Sequence, residues 1–290
     1  MPETDRPIAS QMREGYILAG KYRIERELGS GGMGTVVAAR HLQLEEQVAI
    51  KFLLPAALEM PDAVERFMRE AKAAVRIRSE HVVRVYDVGT LDDGAPYMVM
   101  EYLRGVDLCQ WLQDHESVSI PDAVELILQV LEAVADAHAV GIIHRDLKPS
   151  NLFCVHRQDG LPFIKVLDFG ISKVADSSRS QVAMTAPAAV MGSPLYMSPE
   201  QMRSAHNVDT RTDIWAIGII LYEMLTGIAP FDGVTLSEVC VRTAMLPPPP
   251  IRDRCPSLPL ELEAVVLRCL KKDPNERYSN VAELAAALLP

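Results

Sequence analysis

The chain has 290 residues, 49% of them hydrophobic and 23% charged, with 39 acidic against 29 basic side chains and a formal net charge of −10. That length suits one large domain or two compact lobes, and the composition excludes a disordered chain and a non-specific binder of nucleic acid or anionic membrane. Five cysteines without a CxxC pair argue against structural zinc and a disulfide framework, and fit a reducing compartment. Residues 1–20 read as a loose lead-in without an apolar signal segment. Residues 21–28 alternate towards a strand, a glycine-rich turn follows at 29–34, and 35–39 and 47–53 resume extended patterns. Pro61-Asp62 opens a helix whose apolar stripe is Val64, Phe67, Met68, Ala71, Ala74 and Val75. Residues 81–89 and 95–103 read as two strands joined by a turn at Asp92-Asp93-Gly94.

After Leu103 the pattern turns helical. Residues 121–140 form a long amphipathic helix with Val124, Leu128, Leu131, Val134, Ala135 and His138 on one side and Gly141 as its C-terminal cap. Residues 142–170 are β-rich and broken by polar turns, whereas 172–199 lack periodicity and read as a long loop. Helical segments run to the end. The longest strongly apolar stretch, 214–222, is shorter than the ~20 residues a bilayer demands and reads as a buried helix. The expectation is a cytoplasmic protein with no membrane segment in this chain.

Several short patterns carry chemistry. Gly29-Ser30-Gly31-Gly32-Met33-Gly34 has the spacing G-x-G-x-x-G, which lets backbone approach phosphate oxygens or simply makes a turn. A Walker A loop would place Lys-Ser/Thr after the last glycine, where Thr35-Val36 stands; a dinucleotide fingerprint would need a helix there. Val48-Ala49-Ile50-Lys51 puts a lysine in an apolar strand, and Glu70, on the flank of its helix's buried face, is a candidate partner. Taken singly, these two residues also read as a snorkelling Lys and a solvated Glu. His144-Arg145-Asp146-Leu147-Lys148-Pro149-Ser150-Asn151 concentrates a carboxylate, two cations and an amide in eight residues. Asp168-Phe169-Gly170 ends an extended run with a carboxylate suited to a metal, or to a turn.

In this order the motifs resemble the eukaryotic-type protein kinase superfamily, Ser/Thr branch, in the form seen in bacteria. The resemblance implies an α+β bilobal kinase-like fold over residues 21–290, with a β-rich N-lobe at 21–103 carrying one helix and a mainly helical C-lobe at 104–290. It implies ATP-dependent phosphoryl transfer to Ser/Thr hydroxyls of protein substrates, with Mg²⁺ (or Mn²⁺ in its place) as the ion. Leu28, Val36 and Ala49 would line the adenine, and residues 29–34 would cover the phosphates. Lys51, paired to Glu70, would contact the α/β-phosphates. Met100 matches the gatekeeper, Glu101 and Leu103 the hinge groups, Asp107 a ribose-binding carboxylate, and Phe153 the residue under the adenine, where an aliphatic is common. Asp146 matches the catalytic base and Lys148 the cation at the γ-phosphoryl. Asn151 and Asp168 match the Mg²⁺ ligands. With a free Asp pKa near ~3.9, Asp146 would act more by positioning than by basicity.

The segment from Gly192 to Glu200 resembles the substrate-docking loop, with Ser193 in place of the usual threonine and Ser198 in place of an alanine. Arg277 matches the partner of Glu200. Asp213 matches a carboxylate that holds the backbone of the His144–Asp146 loop, a role compatible with capping a helix. Arg145 beside Asp146 implies switching by phosphorylation within 172–193, at Thr185 by preference, through autophosphorylation in a transient homodimer. Two other readings are open: a pseudokinase scaffold, which the presence of Lys51, Asp146 and Asp168 disfavours, and a small-molecule kinase, which the docking segment disfavours.

Overall fold

The computed structural model describes residues 13–31, 34–60, 62–91, 94–115, 118–156, 162–169, 194–204 and 208–289. They form two compact units. One takes the chain up to Arg76 together with Val83–Arg104; the other takes Ile77–Val82 and the chain from Gly105 onward. The exchange of Ile77–Val82 was not anticipated from the sequence, which splits once after Leu103.

The first unit is an antiparallel six-stranded sheet of β1 (Ile17–Leu18), β2 (Tyr22–Ser30), β3 (Gly34–His41), β4 (Gln47–Leu53), β5 (Val85–Thr90) and β6 (Pro96–Glu101), in the order β1-β2-β3-β4-β6-β5. Strand alternation sorts its side chains. Ile24, Val37, Ala39, Val48, Ile50, Phe52, Tyr97 and Val99 share one buried cluster with Leu18 and Tyr22. Each Val, Leu, Ile and Phe among them contributes about 1.5–3 kcal/mol when removed from water. The neighbouring positions Val36, Ala49, Lys51 and Met100 therefore point to the opposite face. Leu18 is 1% exposed, so the sheet reaches into the segment read as a lead-in.

Among the described residues two helices belong to this unit, α1 (Pro55–Leu58) and α2 (Ala63–Arg76). Helix α2 starts at Ala63, two residues after the expected opening at Pro61, because Asp62 adopts a left-handed backbone (φ +62°). Its buried residues are Ala63, Arg66, Phe67, Ala71 and Ala73. Val64 and Val75 of the expected stripe are exposed. At about 100° per residue these two lie together at the edge of the face centred on Phe67, Glu70 and Ala74. The strand expected at 81–89 begins only at Val85, because residues up to Val82 belong to the other unit.

The second unit holds a small antiparallel sheet of β7 (Gly105–Asp107), β8 (Leu152–Val155) and β9 (Phe163–Val166). Its helices are α3 (Leu108–Asp114), α4 (Ile120–Ala139), α5 (Pro199–Arg203), α6 (Arg211–Thr226), α7 (Leu236–Met245), α8 (Leu260–Cys269) and α9 (Val281–Leu288). The side chain of Ser119 caps α4 by accepting the Asp122 N–H. The buried face of α4 is Ala123, Leu126, Ile127, Val130, Leu131, Ala133, Val134 and Ala137; of the expected side, only Leu131 and Val134 are fully buried. The helix is apolar around most of its circumference, so pattern alone locates its centre poorly. Helix α6 is buried from Thr212 through Tyr222 and ends at Gly227 in a left-handed cap (φ +77°). All five cysteines are free thiols. Among the described residues no helix is long and apolar enough to cross a membrane.

Close packing of α6 on α8 depends on Gly218: a Cβ there would lie 2.6 Å from Cys269 Cβ. Gly218→Val is expected to destabilise the protein by about 1–3 kcal/mol through overpacking, read as a lowered urea midpoint at unchanged m-value.

Candidate active site

In the first unit one register gathers the expected nucleotide residues. Val36 pairs with Gly29 on one side and Lys51 on the other, Ala49 pairs with Met100, and Lys51 with Met98. Ala49 and Met100 are buried, while Leu28 is exposed. At the glycine-rich turn the Gly31 N–H donates to Gly34 O at 2.8 Å, and the hydroxyls of Ser30 and Thr35 lie 2.9 Å apart. A Cβ at Gly34 would lie 2.5 Å from Phe52 O, so the strand start accepts only glycine without a shift. Gly32 and Met33 lie outside the described residues. Lys51 Nζ is 2.7 Å from Glu70 Oε1, with both side chains about 15% exposed. The Glu101 carboxylate accepts the Arg84 N–H, and the Leu103 amide makes no hydrogen bond among the described residues.

The second unit builds the polar loop around one buried carboxylate. Asp213, 1% exposed, accepts the backbone N–H groups of His144 and Arg145, each at 2.9 Å, and the Nε2–H of His138 at 2.8 Å. It sits in the first turn of α6, two residues past the helix start; the cap position is Thr210, so the capping reading of Asp213 fails. The His144 ring spans from Leu167 O (Nε2, 3.0 Å) to the Asp146 N–H (Nδ1, 3.2 Å). Since a carbonyl only accepts and an amide only donates, the ring is neutral with its proton on Nε2. Burial pushes the His144 pKa down against the pull of Asp213 and Asp146.

This frame presents Asp146, whose carboxylate lies 3.3 Å from Lys148 Nζ. Asn151 Nδ2 donates to Asp146 O at 2.8 Å, which turns Oδ1 the other way and leaves it without a hydrogen bond among the described residues. Asn151 O accepts the Leu167 N–H at 2.8 Å, so Asp168 follows directly beside it. An amide oxygen and a carboxylate brought together by their backbone fit a hard divalent cation. Arg145 and Asp168 both have left-handed backbones (φ +65° and +44°), a strain of the kind concentrated at functional loops. Asp107 caps α3 through the Gln110 N–H at 3.0 Å, a task not foreseen for it, and pairs in register with the half-buried Phe153. Burial raises the thiol of Cys109 to about 11 and those of Cys154 and Cys269 to about 12, which leaves them poor nucleophiles.

Residues 22–288 match the family model described as protein kinase domain. The chain belongs to the protein kinase family. Serine/threonine-protein kinase pkn3 of Myxococcus xanthus is 39% identical over 289 residues, covering 99% of this chain and 52% of the relative. PknB of Mycobacterium tuberculosis is 38% identical over 276 residues, covering 94% of this chain and 43% of the relative. The chain thus spans about half or less of the length of these curated relatives. Among solved structures, the kinase domain of Mycobacterium tuberculosis PknI matches with a TM-score of 0.72 at 27% identity, covering 95% of this chain and 97% of that one.

Further residues of the kinase domain support the loop, and of these Gln201, Thr212 and Tyr196 were not singled out from the sequence. Gln201 donates from Nε2 to Arg145 O at 2.9 Å, holding the strained peptide. Gln201 itself is set by a capping box with Ser198, whose hydroxyl also meets Thr212 Oγ1 at 2.6 Å in the core. The Ser-x-x-Gln spacing was the available signal. Ser198 is thus a used hydroxyl and more than a size-matched replacement for alanine. Tyr196 donates its hydroxyl to Glu223 at 2.7 Å. Arg277, 2% exposed, forks onto Glu200 at 2.6 and 2.8 Å and donates to the carbonyls of Lys271 and Arg211. Gly170, Thr185 and Ser193 lie outside the described residues.

Arg277→Gln is expected to cost about 3–5 kcal/mol in chemical denaturation, because Glu200 is left charged and unpaired; adding Glu200→Gln should recover part of the loss. For His144, the depressed pKa means that the unfolded chain binds the proton first. Its contribution to stability is therefore whole above the unfolded value near ~6.5 and falls as pH drops below it. The His144 ring signals should stay flat in an NMR titration down through pH 6.5; a midpoint at or above 6.5 would contradict the burial.

Proposed function

We propose that this chain is an ATP-dependent serine/threonine protein kinase domain, spanning residues 21–290 with β1 added to its sheet. The single observation that carries the reading is the polar loop in which Asp146, Lys148 and Asn151 are held by the Asp213–His144 frame. A loose phosphoryl transfer needs positioned charge more than covalent chemistry, and this loop supplies both signs within one turn of chain. Asp146 orients the acceptor hydroxyl and takes up its proton. Lys148 offsets charge on the transferred phosphoryl. Lys51, steadied by Glu70, binds the α/β-phosphates, under the backbone of residues 29–34. Leu28, Val36, Ala49, Met100 and Phe153 enclose the adenine, the Glu101 carbonyl and Leu103 amide read its edge, and Asp107 takes the ribose with the oxygen that does not cap α3. Asn151 and Asp168 hold Mg²⁺, with Mn²⁺ as a substitute. When bound, that ion neutralises charge on the phosphates.

The acceptors are Ser/Thr hydroxyls of proteins, docked by residues 192–200. ATP as donor places the action in the cytoplasm. The regulatory reading is phosphorylation in trans within 172–193, Thr185 first. Arg145 supports it: its Nε is buried without a hydrogen bond among the described residues, and burial lowers the pKa of its guanidinium, so an incoming phosphate would gain a desolvated cation.

Asp146→Asn and Lys51→Met are each expected to lower transfer of labelled phosphate from ATP to a generic protein acceptor by at least about 10²–10⁴-fold at unchanged thermal stability. Unaltered turnover in either variant would remove that residue's assignment. Mass spectrometry of active protein should find phosphate between Ile171 and Ser193, and a fully active sample without it would end the regulatory reading.

A further inference from the structure

His81 lies in the Ile77–Val82 segment that joins the second unit. Its ring is 5% exposed and stacks on Phe163, with centroids 4.2 Å apart and 25° between planes. Nδ1 is 2.9 Å from Ile164 O. The carbonyl can only accept, so Nδ1 carries the proton and the lone pair of the neutral ring is on Nε2. Nε2 makes no hydrogen bond among the described residues. Glu132 Oε2, from α4, lies 3.8 Å away, beyond hydrogen-bond reach. Glu80 precedes His81 in the chain. One ligand atom from each of Glu80, His81 and Glu132 lies within 4.8 Å of the other two.

A histidine whose far nitrogen is tied to a backbone carbonyl is the usual orientation of a metal ligand. One imidazole and two carboxylates make three protein ligands with a fourth position for water, the open arrangement zinc adopts. Bonds of ~2.1 Å in a tetrahedron put ligand atoms ~3.4 Å apart. The present spacing therefore has to contract by up to about 1.4 Å, which the two exposed glutamates can supply by rotamer change while the pinned imidazole stays in place. Lys165 approaches the same segment, with Nζ 3.5 Å from Val82 O, and two carboxylates more than offset its charge.

We infer that Glu80, His81 and Glu132 form a binding site for a borderline divalent transition-metal ion, with Zn²⁺ the best match. It is built from residues other than the Asn151 and Asp168 pair. The imidazole disfavours Mg²⁺ and Ca²⁺, which take oxygen ligands. The ion ties the Ile77–Val82 segment to α4, adding a side-chain clamp to the His81 O···H–N Val166 bond of 2.7 Å.

The test is calorimetric titration of the full chain with ZnCl₂, in millimolar Mg²⁺, beside the Glu80→Gln/Glu132→Gln variant, whose altered side chains are exposed. The wild type should show a site whose affinity falls by about 100-fold or more in the variant. Long-range ¹H–¹⁵N spectra should show the His81 Nε2 resonance moving with Zn²⁺ and not with Mg²⁺. Identical Zn²⁺ isotherms for the two proteins, or an unmoved His81 Nε2 signal at saturating Zn²⁺, would overturn the site.

Discussion

Asp213 is the constraint on which the second unit turns. A carboxylate at 1% exposure would cost several kcal/mol if left alone. Here three N–H donors meet it, two from consecutive backbone amides and one from His138 near the end of α4. For both amides to converge on one carboxylate, the chain must bend sharply at Arg145, and it does so through a left-handed residue. A non-glycine residue there costs on the order of 1–3 kcal/mol. The Asp213 bonds and the Gln201 bond to Arg145 O offset that cost. From this anchor the rest follows by short steps. The His144 ring sets the Asp146 amide, the Asp146 carbonyl orients the Asn151 side chain, and the Asn151 carbonyl takes the Leu167 N–H that leads into Asp168.

Burial makes this chain of bonds directional. Neutral His144 must donate at one end and accept at the other, so Leu167 O and the Asp146 N–H are specified together. A protonated ring would have two donors and would face the Asp146 N–H with the wrong sign. The polar network is therefore either complete or costly. Arg277 plays the same part farther along, since its planar fork links the α5 carboxylate of Glu200 to the carbonyl of Arg211 at the start of α6. Helices α5 and α6 are thereby fixed relative to each other at the end nearest the loop.

The strands of the first unit were legible because alternation is a local signal, and β2, β3, β4 and β6 fall where it predicts them. The chemistry of the Lys51–Glu70 pair was legible for a related reason: an apolar strand around a lysine demands a counter-ion. What escaped was set by distant partners. Ile77–Val82 carries ordinary helix-exit and strand-like residues; only its pairing with β9, through Val82 and Val166, assigns it to the other unit. Strand β7 is three residues long and exists because β8 is there to receive it. Val64 and Val75 look like core and are exposed, whereas Arg66 is 5% exposed. Helical period alone cannot say which edge of a broad apolar face meets the sheet. Ser198 shows the same limit at the site: its residue type caps helices, and it caps α5 while also bonding Thr212. The hold of Asp213 on the loop was expected, but from the family resemblance and not from any local pattern.

The net charge of −10 bears differently on bulk and local binding. Exposed charges are screened over about 8 Å at physiological salt, so the surplus of carboxylates repels a long polyanion at the surface while weighing little on groups in contact at 3 Å. In each unit a basic group is tied to an acidic one: Lys51 to Glu70 in the first and Lys148 to Asp146 in the second. Such pairs supply position more than net positive charge. Under the proposed function a polyphosphate needs net positive charge, and a divalent ion held by Asn151 and Asp168 would deliver it. One neutral amide and one carboxylate would cancel a single unit of its charge, leaving the other for phosphate oxygens. The choice of an asparagine, with its amide turned by Asp146 O so that only oxygen is presented, is thus as much a part of the electrostatics as any charged residue.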